Sequence, residues 1–328
     1  MQFATLIDTL HCVLRDFIYS NSKLTADYGF PLSSQTMKTN DSLRRFIFEN
    51  APIRGELVRL DQTWLSVLAR HDYPVVLRDL MGELAAAAAL LAATLKLDGS
   101  LVLQIHGKGA VKLLVVECTG NMEIRATAKW EGELEQGSLK GLVGDGRFVI
   151  TLDPKDGSQA YQGVVELEGD SIAAILQNYM TRSEQLDTRL WLAADGQCAA
   201  GLLLQKMPDQ DDDEDEDPWE NATVIADTVK SDELLTLAAE EMIHRLYHED
   251  DVRLFEAQQV VFRCSCSRGN VSNMLKMLGR EEVDDILQER GEIEVFCEFC
   301  NERYAFDAID AEAAFADAVL SNSNETRH

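Results

Sequence analysis

Val260-Val-Phe-Arg-Cys264-Ser-Cys266 and Ile293-Glu-Val-Phe-Cys297-Glu-Phe-Cys300, with thirty residues between Cys266 and Cys297, decide how the C-terminal part of this chain folds. Two close cysteine pairs at the ends of a short segment let each pair clamp one edge of a tetrahedral Zn²⁺, at about 2.3 Å per Zn–S bond. Cys-x-x-Cys is the usual knuckle spacing, and Cys-x-Cys is a tighter version of it. Cys264, Cys266, Cys297 and Cys300 are therefore read as the ligands of one zinc ion per chain. Four thiolates close the coordination shell and leave no position for water or substrate. Lewis-acid catalysis at this metal is thus disfavoured, and structure or a thiol switch remains.

Working outward, the pattern predicts a strand over 260–262, a helix over 271–278 ending at Gly279, a helix over 281–289 ending near Gly291, and a strand over 293–296 that delivers Cys297. A unit of about 50 residues, 256–307, has too little core to stand alone and needs a staple. Residues 308–328 read as a C-terminal tail. On the other side, 231–247 carries apolar Leu235, Ala238, Ala239, Met242 and Leu246 at helical spacing, an amphipathic helix whose stripe needs a partner surface. His244 and His248 lie one turn apart on it, but Arg245 stands where a His-Glu-x-x-His motif needs its Glu, so a packing or surface role is expected. The run Asp209-Gln-Asp-Asp-Asp-Glu-Asp-Glu-Asp217 places eight acids in nine residues between Pro208 and Pro218, a solvated stretch that opens a linker over 208–255.

Residues 41–207 read as an α+β domain. The Ala-rich stretch 83–97 is apolar nearly all round and predicts a buried helix stopped at Asp98-Gly99. Strand-like runs over 101–106, 112–118, 123–130, 147–152 and 161–168 alternate with glycine turns, which predicts an antiparallel, hairpin-rich sheet. A helix over 171–180 and a strand over 189–193 complete it. Gly107-Lys-Gly109 and Gly144-Asp-Gly146 lack the spacing of a phosphate loop and read as turns. The expected fold class is accordingly α+β: antiparallel sheet packed with helices, a helical linker, and a small four-cysteine zinc-binding domain. Residues 1–40 read as a weakly patterned N-terminal extension.

Composition narrows the function. The chain has 328 residues, 46% of them hydrophobic, and a formal charge of −27. Such a charge repels phosphate backbones, so nucleic acid is not expected as a partner despite the zinc-ribbon look of the tail. Seven cysteines, three of them single at Cys12, Cys118 and Cys198, do not make the dense framework of a small secreted domain, which points to a reducing cytoplasm. Asp8 and Asp16 interrupt the first 20 residues, no basic n-region precedes them, and the longest apolar stretch, 84–95, is too short for a bilayer; neither a secretory signal nor a membrane span is expected. No Ser-His-Asp set or carboxylate pair stands out, so the chain is not read as an enzyme.

Zinc-bound sulfur is thiolate, the form that peroxide or hypochlorous acid attacks, and Arg263, Arg268 and Arg303 are expected to raise that reactivity. Each close pair offers its own resolving thiol, which opens a route to two local disulfides and loss of the ion. A thiol–disulfide oxidoreductase would use Cys297 and Cys300 alone and leave Cys264 and Cys266 without a part; a zinc-ribbon adaptor is opposed by the charge.

The two cysteine pairs, together with Phe48-Glu-Asn-Ala-Pro-Ile-Arg-Gly-Glu-Leu57, His71-Asp-Tyr-Pro74, the Ala-rich helix, Tyr161-Gln-Gly-Val-Val165, Ser183-Glu-Gln-Leu186 and Gly201-Leu-Leu-Leu-Gln205, resemble the heat-shock protein 33 family of redox-regulated chaperones over about residues 43–307. The resemblance implies a cytoplasmic, ATP-independent holdase that is inactive when reduced and zinc-bound. It implies that oxidation pairs Cys264 with Cys266 and Cys297 with Cys300, releases zinc, unfolds the linker and gives an active homodimer. Such a dimer holds unfolded clients and passes them to ATP-dependent chaperones. Three departures stand out: residues 1–40 exceed the family's usual start, Asp187 stands where Pro commonly follows Ser-Glu-Gln-Leu, and the acidic run is denser than usual.

Overall fold

The computed structural model describes residues 41–95, 98–135, 137–208 and 218–324. The expected extension over 1–40 and the acidic run 209–217 lie outside them. The chain divides into two compact units, one ending at Phe262 and one beginning at Arg263.

The first unit runs β1 (Ser42–Phe48), β2 (Ile53–Leu60), α1 (Gln62–Leu68), α2 (Val75–Leu95), β3 (Gly99–His106), β4 (Val111–Thr119), β5 (Glu123–Trp130), α3 (Leu139–Val143), β6 (Arg147–Pro154), β7 (Tyr161–Val165), α4 (Ile172–Arg182), β8 (Thr188–Ala194), β9 (Ala199–Lys206), α5 (Pro218–Ala226), α6 (Ser231–Thr236), α7 (Ala239–Tyr247), β10 (Val252–Leu254), β11 (Gln258–Gln259) and β12 (Val261–Phe262). One sheet has the order β10-β1-β2-β9-β8, with β11 also on β1; the other has the order β12-β5-β4-β3-β6-β7. Apart from parallel β12 on β5, the pairings are antiparallel.

Helix α2 explains why its sequence is almost all Ala and Leu. It contacts β2, β8 and β9 of one sheet and β3, β4 and β5 of the other, and Leu84 through Thr94 are buried without interruption. Small side chains are what let two sheets close on one helix. The helix begins two turns before the stretch picked out by its alanines, directly after Pro74, whose carbonyl accepts from the Arg78 amide at 2.9 Å. At its other end, Arg45 donates to the Ala93 carbonyl at 3.2 Å and Thr94 Oγ1 donates to Glu56 Oε2 at 3.1 Å. Burial pushes the Glu56 carboxyl up, against the pull of Arg54 and Arg45. The Arg-Gly-Glu stretch is thereby a buried helix-end network, and its Gly55 lies directly across from Phe46, whose ring fills the space a Cβ would take.

The strands expected over 101–106, 112–118, 123–130, 147–152 and 189–193 are present with ends shifted by at most two residues, whereas β7 stops at Val165 rather than 168. Helix α4 starts on Ser171, whose Oγ accepts from the Ala174 amide. The Ser183-Glu-Gln-Leu stretch follows it: Tyr179 donates to Glu184 Oε1 at 2.5 Å, and Gln185 takes a positive φ of 56° as the chain turns into β8.

The linker differs from expectation in two respects. The single amphipathic helix over 231–247 is two helices, because Leu237 and Ala238 are extended, with ψ near 146° and 151°. The break changes which residues face inward: Leu234, Met242, Ile243 and Tyr247 are buried, while Leu235, Ala239 and Leu246 are only partly so. Their partner surface is the face of the first sheet turned away from α2, formed by Phe46, Phe48, Ile53, Leu57, Leu202 and Leu204. Tyr247 anchors this layer, 2% exposed, edge-on to Phe48 at 4.9 Å, with its O–H donated to the Ala222 carbonyl at 3.0 Å.

The second unit contains α8 (Arg268–Leu278), α9 (Arg280–Arg290), β13 (Ile293–Phe296), β14 (Arg303–Phe306) and α10 (Ala308–Asn324). The residues expected to be a tail after 307 thus begin a helix, and its Ala311 packs with Leu275, Val283, Ile293 and Phe306 in a small core. Residues 256–262, expected to belong with the cysteines, supply β11 and β12 to the first unit.

Candidate metal centre

Each cysteine pair sits where a short element holds its backbone. Cys264 and Cys266 immediately precede α8, whose cap Ser267 accepts from the Asn270 amide at 3.1 Å while Asn270 Nδ2 donates back to the Ser265 carbonyl at 3.0 Å. Cys297 and Cys300 occupy the turn between β13 and β14. The Cys297 amide donates to the Glu302 carbonyl at 2.9 Å, the Asn301 amide donates to the Cys297 carbonyl at 2.8 Å, and Asn301 takes a positive φ of 58°. This is the local geometry that points two sulfurs of a Cys-x-x-Cys to one side.

The four sulfurs lie within 4.8 Å of one another, with Cys264 Sγ 3.6 Å from Cys297 Sγ and Cys266 Sγ 3.3 Å from Cys300 Sγ. A tetrahedron of thiolates with Zn–S bonds of about 2.3 Å has edges of about 3.8 Å. The donor set and its spacing fit a tetrahedral soft cation. All four are half-buried, so the site is neither sealed nor open to bulk water. Burial pushes the Cys300 thiol up, hydrogen bonds shared with Cys266, Cys297 and Cys264 add to the rise, and the Glu302 amide opposes it. A bound cation would stabilise the thiolate form of sulfurs packed this closely.

The fold separates residues that the sequence assigns together to the site. Cys264, Cys266, Cys297 and Cys300 are brought together. Arg268 and Arg303, expected to activate the thiolates, are engaged elsewhere. Arg268 pairs with Asp310 at 2.7 Å, donates to the Ala305 carbonyl and lies 4.3 Å over the Phe306 ring. Arg303 bridges Glu292 and Glu294 across the hairpin. In so acidic a chain carboxylates compete with the sulfurs for these two arginines. Tyr304 was not anticipated: its O–H donates to Cys266 Sγ at 3.2 Å, and this bond raises the phenol's own pKa. Among the described residues His244 and His248 stack ring on ring at 6.0 Å and join no metal-ligand cluster. Cys118 and Cys198 are buried in the first unit, apart from the cluster, with burial pushing both thiols up, Cys198 to about 12.

An α+β body of antiparallel sheets and helices, followed by a small unit built on a four-thiol cluster able to hold a metal ion, defines the class. The family described as Hsp33 protein matches residues 41–307. The 33 kDa chaperonin of Methylobacillus flagellatus is 57% identical over 293 residues, covering 89% of this chain and 100% of that protein. The 33 kDa chaperonin of Chromobacterium violaceum is 51% identical over 294 residues, covering 89% and 99%. The crystal structure of the 33 kDa chaperonin from Thermotoga maritima matches the fold with a TM-score of 0.74 at 22% identity, over 85% of this chain and 99% of that one. This chain belongs to the Hsp33 family of chaperones. No helix among the described residues is long and apolar enough to cross a membrane.

Proposed function

We propose that this chain is a redox-regulated, ATP-independent holdase of the cytoplasm, silent while Cys264, Cys266, Cys297 and Cys300 hold one Zn²⁺ and active once they are oxidised. The observation that carries the reading is the set of four sulfurs within 4.8 Å of one another on a unit whose described core is small, centred on Leu275, Val283, Ile293, Phe306 and Ala311. Bound zinc would supply cross-linking and keep the sulfurs as thiolates; structural zinc contributes on the order of 10–16 kcal/mol in small peptides, more than such a core can replace.

Oxidation joins Cys264 to Cys266 and Cys297 to Cys300 in this reading. Close sulfur contacts run across the pairs, Cys264 to Cys297 and Cys266 to Cys300, but once the cage opens, closing a loop of one or two residues is taken to cost less entropy than closing one of more than thirty. With its ligands spent, the second unit loses its staple and the linker undocks. Undocking of α5 to α7 bares Phe46, Phe48, Ile53, Leu57, Leu202 and Leu204, a continuous apolar face for non-native clients. The acidity of the rest keeps the opened form soluble. The active form is read as a homodimer that passes clients to ATP-dependent chaperones. A second function, such as disulfide exchange, finds no support in a cluster that uses all four sulfurs together.

The test is zinc content of the reduced protein, followed by treatment with hydrogen peroxide or hypochlorous acid, with zinc release, far-UV helicity and suppression of client aggregation read on one sample. Stoichiometric zinc, its release and a parallel gain of holding are expected; release without any gain of holding overturns the proposal.

A further inference from the structure

Tyr304 lies on β14 across from Val295 of β13, and its O–H points onto Cys266 Sγ at 3.2 Å. Its ring packs beside the small core of the second unit, so the hydroxyl is held at the sulfur by the hairpin register rather than by chance rotation. A hydrogen bond to a thiolate withdraws electron density from the lone pair that attacks an oxidant. In thiol–disulfide exchange a sulfur that gives up electron density is a slower nucleophile, with a Brønsted slope of about 0.4–0.5, so losses of rate are a few-fold rather than many orders.

The geometry points to Tyr304 as a positioning residue that damps Cys266 toward peroxide, so that Cys266 acts as the resolving sulfur of its pair and its partner as the attacking one. This inference rests on the redox reading above. In the first step a thiolate sulfur attacks the peroxide O–O bond, forming S–O and expelling hydroxide. In the second, the neighbouring thiolate attacks that sulfur, forming S–S and expelling a second hydroxide. Two sulfurs lose two electrons and the peroxide gains them. A phenol bonded to one sulfur thereby fixes which of the two goes first and how much peroxide the switch needs.

Tyr304→Phe removes the hydroxyl and keeps the ring. The reduced zinc-bound protein and this variant are treated with hydrogen peroxide in the presence of a sulfenic-acid trap, and modification at each cysteine is followed by mass spectrometry. The expected result is full zinc content in both and trapping at Cys266 a few-fold faster in the variant. Cobalt-loaded forms give a second reading: the sulfur-to-cobalt charge-transfer bands shift in Tyr304→Phe because a donor to the ligating sulfur is gone. Equal Cys266 rates at full zinc content overturn the role of Tyr304 while leaving the redox reading intact. A reduced wild-type protein without zinc overturns both.

Discussion

Replacing Tyr247 by Ala should switch holding on without touching any cysteine. Tyr247 is 2% exposed, its ring meets Phe48 edge-on at 4.9 Å and Phe46 at 6.1 Å, and its hydroxyl ties α7 to the Ala222 carbonyl of α5. Truncating a buried aromatic costs about 3–5 kcal/mol. The lost hydrogen bond lies within that figure rather than beside it, because the Ala222 carbonyl sits inside a helix and keeps an intrahelical partner. About 4 kcal/mol shifts the ratio of docked to undocked linker about a thousandfold. The rest of the first unit keeps its α2 core, since none of the Tyr247 contacts belongs to it. The assay is light scattering of a thermally unfolding client with reduced, zinc-loaded Tyr247→Ala protein, alongside limited proteolysis of 218–254. Proteolytic opening with suppression of scattering is expected. If the linker is cut readily and the client still aggregates as it does without chaperone, the face beneath α5 to α7 is not the holding surface, and the reasoning fails.

Chelation of zinc from the reduced protein should melt the second unit, with loss of far-UV helicity from α8 and α9 and of amide protection there; retained protection would show that the small core of Leu275, Val283, Ile293, Phe306 and Ala311 suffices without a metal. Burial, then nearby Asp79, pushes the Glu83 carboxyl up to about 7, so the folded state holds this proton more tightly than the unfolded chain. The contribution is present below about pH 4.5 and is lost as pH rises through about 7; Glu83→Gln should therefore gain stability over wild type at pH 8, by up to about 3 kcal/mol, and match it near pH 4, in paired denaturant titrations. Gly55→Ala brings a Cβ to 2.1 Å from the tip of the Phe46 ring, which is fully buried and has no room to swing away. A cost of about 1–3 kcal/mol and a Tm lower by several degrees are expected in calorimetry; an unchanged Tm would mean the ring moves freely.

The parts of the fold that announced themselves were those with one period and clear stops. β3 and β5 alternate in sequence and are followed within two residues by Gly107 and Gly132, and α2 is alanine-rich across its buried length. β2 did not, because it is buried on both faces: six of its eight residues face core or linker, so no alternation marks it as a strand. The first two turns of α2 mix Arg78 and Asp79 with apolar residues and carry no side-chain cap, leaving Pro74 as the one usable start signal. The break at Leu237 and Ala238 was hidden because apolar residues keep their helical spacing on both sides of it while the backbone does not. The four cysteines of the cluster were readable from spacing alone. Tyr304 was not, since its approach to Cys266 depends on the pairing of β13 with β14, a register that spacing within one strand does not encode. The same limit applies to Arg268 and Arg303, whose carboxylate partners Asp310, Glu292 and Glu294 are set by the hairpin and by α10.

The stretch from Val252 to Phe262 is stitched into both sheets by very short pairings: three residues of β10 and two of β11 on β1, then two of β12 on β5. Arg263 follows Phe262 directly, and Cys264 follows that. Disorder starting at the cysteines therefore meets a two-residue parallel ladder first, then the two residues of β11 and the three of β10, on the way back toward α7. Such a seam unzips by degrees, so amide exchange along 252–262 should quicken in order from its C-terminal end, and partial opening has natural stopping points before the apolar face beneath the linker is uncovered.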